Sequence, residues 1–245
     1  MSAPQPASEQ ELLEVLDRGE SMSIPERALL LAQAADRAVD PRTLPAGARD
    51  GLILALRGRL LGRTLEAGDT CPHCSTASSI VIDGVTLARL GPTVPSMGIE
   101  VRAGDYKVWC RPPSSSDLVD VANAPDPATA RELLLGVTIL AASSDGAPVP
   151  PTTLPLGVLQ EVGERLSEAD PLAEISLRVT CEACEGMWDT VLDPATFVWQ
   201  ELRGWRRRLL WEVHLLAAAY GWTERDILSL PPGRRQIYLG WVLNA

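Results

Sequence analysis

Cys71-Pro-His-Cys74 and, far along the chain, Cys181-Glu-Ala-Cys184 are the stretches whose reading decides this fold. Aligned on their cysteines, the first runs on to Val81-Ile82-Asp83 and the second to Val191-Leu192-Asp193 at identical spacing, so they form a short internal repeat. Each C-x-x-C turn offers a pair of thiolates, and zinc takes four such ligands in a tetrahedron without help from other residues. The pattern predicts one structural zinc held by Cys71, Cys74, Cys181 and Cys184, clasping two distant segments. Within an ordinary ribbon the two pairs lie about 15–20 residues apart. The far longer interval here calls for an insertion whose ends meet at the site, which loop-closure entropy tolerates.

The knuckles depart from the commonest form. Glycine often follows the second cysteine to relax the turn, whereas Ser75 stands there in the first knuckle and Glu185 precedes Gly186 in the second. A degenerate or metal-free site is therefore one alternative. Another is thiol-disulfide exchange, because Cys-Pro-His-Cys is also an oxidoreductase spacing; that chemistry needs a helix directly after Cys71 to lower the thiol pKa. Ser75 to Ser79 leads instead into Ile80-Val81-Ile82, which is strand chemistry. His73 is read as exposed, or as a donor to the site from just outside it. Cys110 has no partner pair and reads as a small, partly buried residue beside a strand.

Working outward, residues 1–10 are polar and carry prolines, as a frayed terminus does. Helices are expected over Glu9 to Arg18, Pro25 to Val39 and Arg49 to Leu61, the last two with apolar residues at helical spacing. Tyr106 to Trp109 is a strand candidate. Ser114-Ser115-Ser116 can cap a helix over Asp117 to Asn123, Pro127 to Ala142 and Pro155 to Glu168 read as helices, and Ser143 to Pro155 as a Pro-rich loop. Ile175, Leu177 and Val179 alternate with polar residues as a half-buried strand does. From Pro194 to Tyr220 the pattern is one long helix stopped by Gly221, followed by a capped start at Thr223 to Asp226 and a last helix after Pro231-Pro232. The fold class is α+β, in three parts: a helical part (1–61), a split zinc-ribbon β region (62–193) with a helical insertion at about 114–168, and a Trp-rich helical part (194–245).

A formal charge of −10 argues against a nucleic-acid backbone as the main partner, since that affinity comes largely from Lys and Arg. A zinc-ribbon regulator that binds nucleic acid is accordingly the alternative reading. No run approaches the roughly 18 apolar residues of a membrane span, and no signal pattern opens the chain, which reads as cytoplasmic. With two histidines, no phosphate-binding glycine loop and no nucleophile motif, the residues do not suggest an enzyme or a small-molecule substrate. Five of the seven tryptophans fall after residue 198, and Trp205 and Trp211 lie off the apolar stripe of the long helix. Such residues are either covered by the same chain or are interface anchors. Trp205, Trp211, Trp222, Arg206 and Arg207 are the candidate partner-binding residues, and Arg206-Arg207-Arg208 is otherwise a solvated face.

Several stretches carry a resemblance: Pro25-Glu26-Arg27-Ala28-Leu29, Leu56 to Glu66 ahead of the first knuckle, Asp170-Pro171-Leu172-Ala173-Glu174 ahead of the second, Tyr220-Gly221-Trp222, and Arg234-Arg235 followed by Tyr238-Leu239. Together they resemble the baseplate hub assembly chaperones of T-even-type phages and the related proteins encoded with phage-like contractile injection systems. The resemblance spans nearly the whole chain. It implies a non-catalytic assembly factor or hub component whose partners are baseplate, hub or spike proteins.

Overall fold

A computed structural model describes residues 6–90 and 98–244. Three helices begin on a reciprocal cap, in which a hydroxyl accepts from the third helical amide while that residue's carboxylate accepts from the cap's own amide: Ser8 with Glu11, Ser114 with Asp117 and Thr223 with Asp226; in a fourth the Glu26 carboxylate accepts from both the amide and the hydroxyl of Ser23. They open α1 (Glu9–Gly19), α2 (Ile24–Ala35), α5 (Ser115–Ala122) and α9 (Glu224–Ser229). The first corrects the expected frayed start, since Ala7 already donates its amide to the Ala34 carbonyl at 2.8 Å. Residues 1–5 of that segment lie outside the described residues. Helix α2 stops at Ala35, earlier than the expected Val39, and α3 (Ala46–Leu61) starts before the expected Arg49.

Leu12, Leu16, Leu31, Ile53 and Leu56 of these three helices bury themselves against Val198, Trp199 and Leu202 of α8 (Pro194–Tyr220). Gly19 is required there, because a Cβ would overlap the Trp199 ring. Arg27 lies over that ring, 4.9 Å from its centroid, while donating to the Gly19 and Glu20 carbonyls at 2.8 Å and so capping α1. The far half of α8 builds a second core, with Val213 and Leu216 packed on Ile227 and on Leu239 of α10 (Pro232–Leu243). One helix thus runs through both helical parts, and Gly221 ends it at φ 67°, a left-handed conformation that glycine adopts without strain.

Between α3 and α8 lie three separate sheets. Strands β1 (Thr64–Thr70) and β2 (Ala77–Asp83) pair antiparallel across the first knuckle, and β7 (Ile175–Thr180) with β8 (Met187–Leu192) across the second. The short helix α4 (Gly84–Ala88) follows β2. The intervening sheet runs in the order β3 (Ile99–Ala103), β4 (Tyr106–Cys110), β5 (Ile139–Ser144), β6 (Ala147–Pro148). With α5, α6 (Pro127–Thr138) and α7 (Leu156–Ala169) it encloses its own core, of Val101, Val108, Ile139, Val158 and Val162. The insertion is therefore mixed, where a helical one was expected. The helix predicted over Pro127 to Ala142 ends at Thr138, because Ala141 and Ala142 pair with Trp109 and Val108 and the chain gains a sheet edge instead of another helical turn. The expected loop from Ser143 likewise begins in strand, with Ser143 and Ser144 paired to Pro148 and Ala147.

The insertion is pinned where it leaves and where it returns. Ser115 donates both its amide, at 2.8 Å, and its hydroxyl, at 3.1 Å, to the Leu44 carbonyl. On return, Asp170 accepts the Gly47 amide at 3.0 Å. Pro45 precedes α3 and has no side-chain acceptor, so a carboxylate from 123 residues away serves as the helix's cap. Burial raises the Asp170 carboxyl above its ordinary range, and a Cβ on Gly47 would overlap that carboxylate.

Buried arginines tie the remaining elements. Arg57 of α3 meets Glu201 of α8 through two 2.9 Å bonds. Arg235 of α10 grips Glu9 at 2.7 and 3.0 Å and Glu212 at 2.8 Å, joining both ends of the chain to α8. Removing a buried guanidinium leaves its carboxylates uncompensated. Arg235→Ala is expected to cost about 2–3 kcal/mol of stability, read as a lowered urea midpoint. Gly47→Ala is expected to cost about 2 kcal/mol by the same measurement, through loss of the Asp170 cap.

Candidate metal centre

The two knuckles adopt one backbone design. In the first, the Cys71 amide donates to Thr76 and the Ser75 amide to the Cys71 carbonyl, both at 2.9 Å. In the second, the Cys181 amide donates to Gly186 and the Glu185 amide to the Cys181 carbonyl, again at 2.9 Å. Ser75 and Glu185 occupy the same left-handed position, at φ 59° and 58°, where a glycine would be unstrained. The chain accepts this cost twice, at positions that match in the internal repeat.

The sulfur atoms of Cys71, Cys74, Cys181 and Cys184 all lie within 4.8 Å of one another, with Cys71 to Cys184 at 3.7 Å and Cys74 to Cys181 at 3.6 Å. Tetrahedral metal–sulfur bonds of about 2.3 Å require sulfur–sulfur edges of about 3.8 Å. The spacing matches a thiolate cage. It is too long for disulfides, which hold sulfurs about 2 Å apart. The four cysteines are thus positioned to bind a metal ion. Cys71 and Cys181 are buried and the second cysteine of each knuckle faces solvent.

The acid–base properties point the same way. The Thr76 hydroxyl, 3.3 Å away, and the Thr76 amide draw the Cys74 thiol down to about 6. The amides of Cys184 and Ala183 lower Cys181. At Cys184 the Gly186 amide favours the thiolate, but the other sulfurs, Cys74 foremost, push the thiol up to about 12. Four negative charges cannot share this volume without a cation, so the last proton leaves only when a metal replaces it.

Two further contacts hold the knuckles together. The His73 ring lies 3.3 Å from the Met187 carbonyl of the opposite knuckle, and Gly186 makes room for it, because a Cβ there would approach His73 Cδ2 to 2.5 Å. The Trp188 indole donates to Asp69 at 2.9 Å, and this bond is the main reason the Asp69 carboxyl sits below its usual range. His73 is exposed, as expected, while also reaching the opposite knuckle; the Trp188–Asp69 contact was not foreseen from the sequence. No signal marked it, since Trp188 corresponds to Ser78 in the repeat.

The candidate partner-binding residues separate into two groups. Trp205 is half-buried against the N-terminal core. Arg206 is turned onto α1, bonding Asp17 at 3.1 Å and Glu20 at 2.6 Å. Trp222 is half-buried, stacked 4.7 Å from Tyr220 and edge-on to Tyr238 at 5.0 Å. Arg207 and Trp211 point outward, with Trp211 stacked on His214 at 5.6 Å. Cys110 is buried with its thiol raised to about 11 by that burial, as expected of a small core residue.

Among the described residues no helix is long and apolar enough to cross a membrane. What fold and site define is an α+β protein with a split four-cysteine cluster positioned to bind a metal ion. Comparison with protein-family models, curated proteins and solved structures returned no match.

Metal binding must displace the Cys184 proton, so affinity is expected to fall steadily as the pH drops from alkaline values, and to fall more steeply below about 6, where the Cys74 thiolate is lost as well; competition titration against a chelator across pH checks this. Gly186→Ala is expected to cost about 1–2 kcal/mol by driving His73 off the opposite knuckle, and the double variant with His73→Ala should recover at least half of that loss in thermal melts.

Proposed function

We propose that this protein is a zinc-stabilised, non-enzymatic assembly factor or baseplate/hub component of a phage-tail-like contractile injection system, acting through protein–protein binding. The observation that carries the reading is the closed thiolate cage. A metal with four protein ligands keeps no open position for water or substrate, so its role is structural. Zinc suits it, because an all-thiolate tetrahedral set is characteristic of structural zinc.

The residues behind the baseplate-chaperone resemblance support the reading by the work they do. Arg27 caps α1 over Trp199, Asp170 caps α3, and Arg235 joins α10 to Glu9 and Glu212. They hold a scaffold, as expected where the product is a binding surface. Of the two histidines, His73 braces the knuckles and His214 stacks on Trp211, so neither is placed as a general base beside a nucleophile. Cys71 is buried and followed by β2, which disfavours the thiol-exchange alternative. The charge of −10 disfavours the nucleic-acid regulator.

The purified protein is expected to carry one zinc per chain by elemental analysis. Cys71→Ser or Cys181→Ser should abolish zinc retention and unfold the ribbon region, since structural zinc contributes on the order of 10 kcal/mol of folding-linked binding energy. A melting curve indifferent to chelation would sink the zinc assignment. Co-expressed with the hub and spike proteins of a contractile particle, the chain should co-purify with one of them in a stoichiometric complex. Elution as a free chain throughout would overturn the assembly reading.

A further inference from the structure

The C-terminal helices have a charge opposite to that of the rest of the chain. From residue 194 onward there are seven arginines against four carboxylates, a net of +3, while the preceding residues carry −13. Several of these arginines are consumed internally: Arg235 by Glu9 and Glu212, Arg206 by Asp17 and Glu20, and Arg203 lies 3.6 Å from Glu20. Arg207 and Arg208 are exposed and form no ion pair among the described residues. Two guanidinium groups thus stand free on an acidic protein.

Beside them is apolar surface that the fold does not cover. Trp211 is 61% exposed and Leu210 41%. Helical spacing puts Arg207, Leu210, Trp211, His214 and Ala218 on one stripe, opposite the buried Leu209, Val213 and Leu216. All five are exposed. The stack of His214 on Trp211, with the rings 26° from parallel, holds the indole in place before anything binds, which reduces the ordering cost of using it as an anchor. Small residues at the far end, Ala218 and Ala219, leave the stripe flat enough for a second helix to lie along it.

We propose that this face of α8, built on Arg207, Arg208, Leu210, Trp211 and His214, is the docking surface for an acidic amphipathic helix of a partner protein. The apolar stripe of that helix covers Leu210 and Trp211, and its carboxylates, flanking the stripe, meet the two free guanidinium groups. Charge complementarity sets the orientation and screens out basic segments, and the indole supplies the buried anchor. The assignment rests on the reading that this protein works by binding other proteins.

The test uses the full chain and three synthetic helices of about 18 residues, five turns each: one with a leucine stripe flanked by glutamates, one with lysines in place of the glutamates, and one with glutamates and no leucine stripe. Calorimetry gives affinities, and the indole N–H resonance of Trp211 reports the location. The Glu/Leu helix is expected to bind saturably, to shift the Trp211 resonance, and to bind at least tenfold more tightly than either control. The double variant Arg207→Glu/Arg208→Glu should lose at least tenfold in affinity with an unchanged melting temperature, and Trp211→Ala should weaken binding with the charges intact. Equal affinity for the glutamate and lysine helices, or shifts confined to other residues, overturns the proposal. So does a concentration-dependent dimer abolished by the double charge reversal, which would make the occupant a second copy. Because the titration involves no baseplate protein, its failure is separate from failure of the co-purification experiment.

Discussion

The two knuckle hairpins between α3 and α8 meet at four sulfur atoms within 4.8 Å of one another. As thiolates they repel, and as mixed thiols and thiolates they titrate against each other, with Cys74 drawn down to about 6 and Cys184 driven up to about 12. A tetrahedral cation would resolve that conflict and would convert it into a cross-link between residues 107 apart. Closing so long a segment is feasible because the entropic cost grows only with the logarithm of loop length, about 0.6 kcal/mol per doubling. The structure reduces it further by pinning the segment at Leu44 and Gly47, so the second knuckle returns from a fixed point on α3.

Around that cross-link the fold is assembled from long-range caps and clasps. Asp170 does for α3 what Pro45 cannot, and Arg27, Arg57 and Arg235 each join elements far apart in the chain. Such contacts leave few charged groups idle in the interior. On the surface, Arg207 and Arg208 have no carboxylate partner among the described residues and sit beside the exposed indole of α8.

Much of the secondary structure was legible because local chemistry and tertiary need agree. The serine run 114–116 ahead of a helix, the capped start at Thr223 to Asp226, the stop at Gly221 and the alternation of Ile175, Leu177 and Val179 each announce an element that the fold contains. The failures fall where they disagree. Leu133, Leu134, Val137 and Leu140 recur as on a helix, yet Ile139 to Ser144 becomes a strand because β4 offers it an unpaired edge. Trp205 and Arg206 look available on a helical wheel; α1 occupies the space beside them.

The cysteine repeat alone identified the four cysteines that gather into one cluster, since paired thiols at matched spacing have few other uses and their flanks name the strands that carry them. It also marked Ser75 and Glu185 as standing where glycine is usual, and both adopt the left-handed conformation. Only the tertiary structure decided that His73 and Trp188 brace one knuckle against the other, that a carboxylate 123 residues away caps α3, and which arginines remain free. Covalent spacing specifies what a local turn can offer to a metal. Which distant group fills a given hydrogen-bonding vacancy depends on how the layers pack, and no local pattern encodes that.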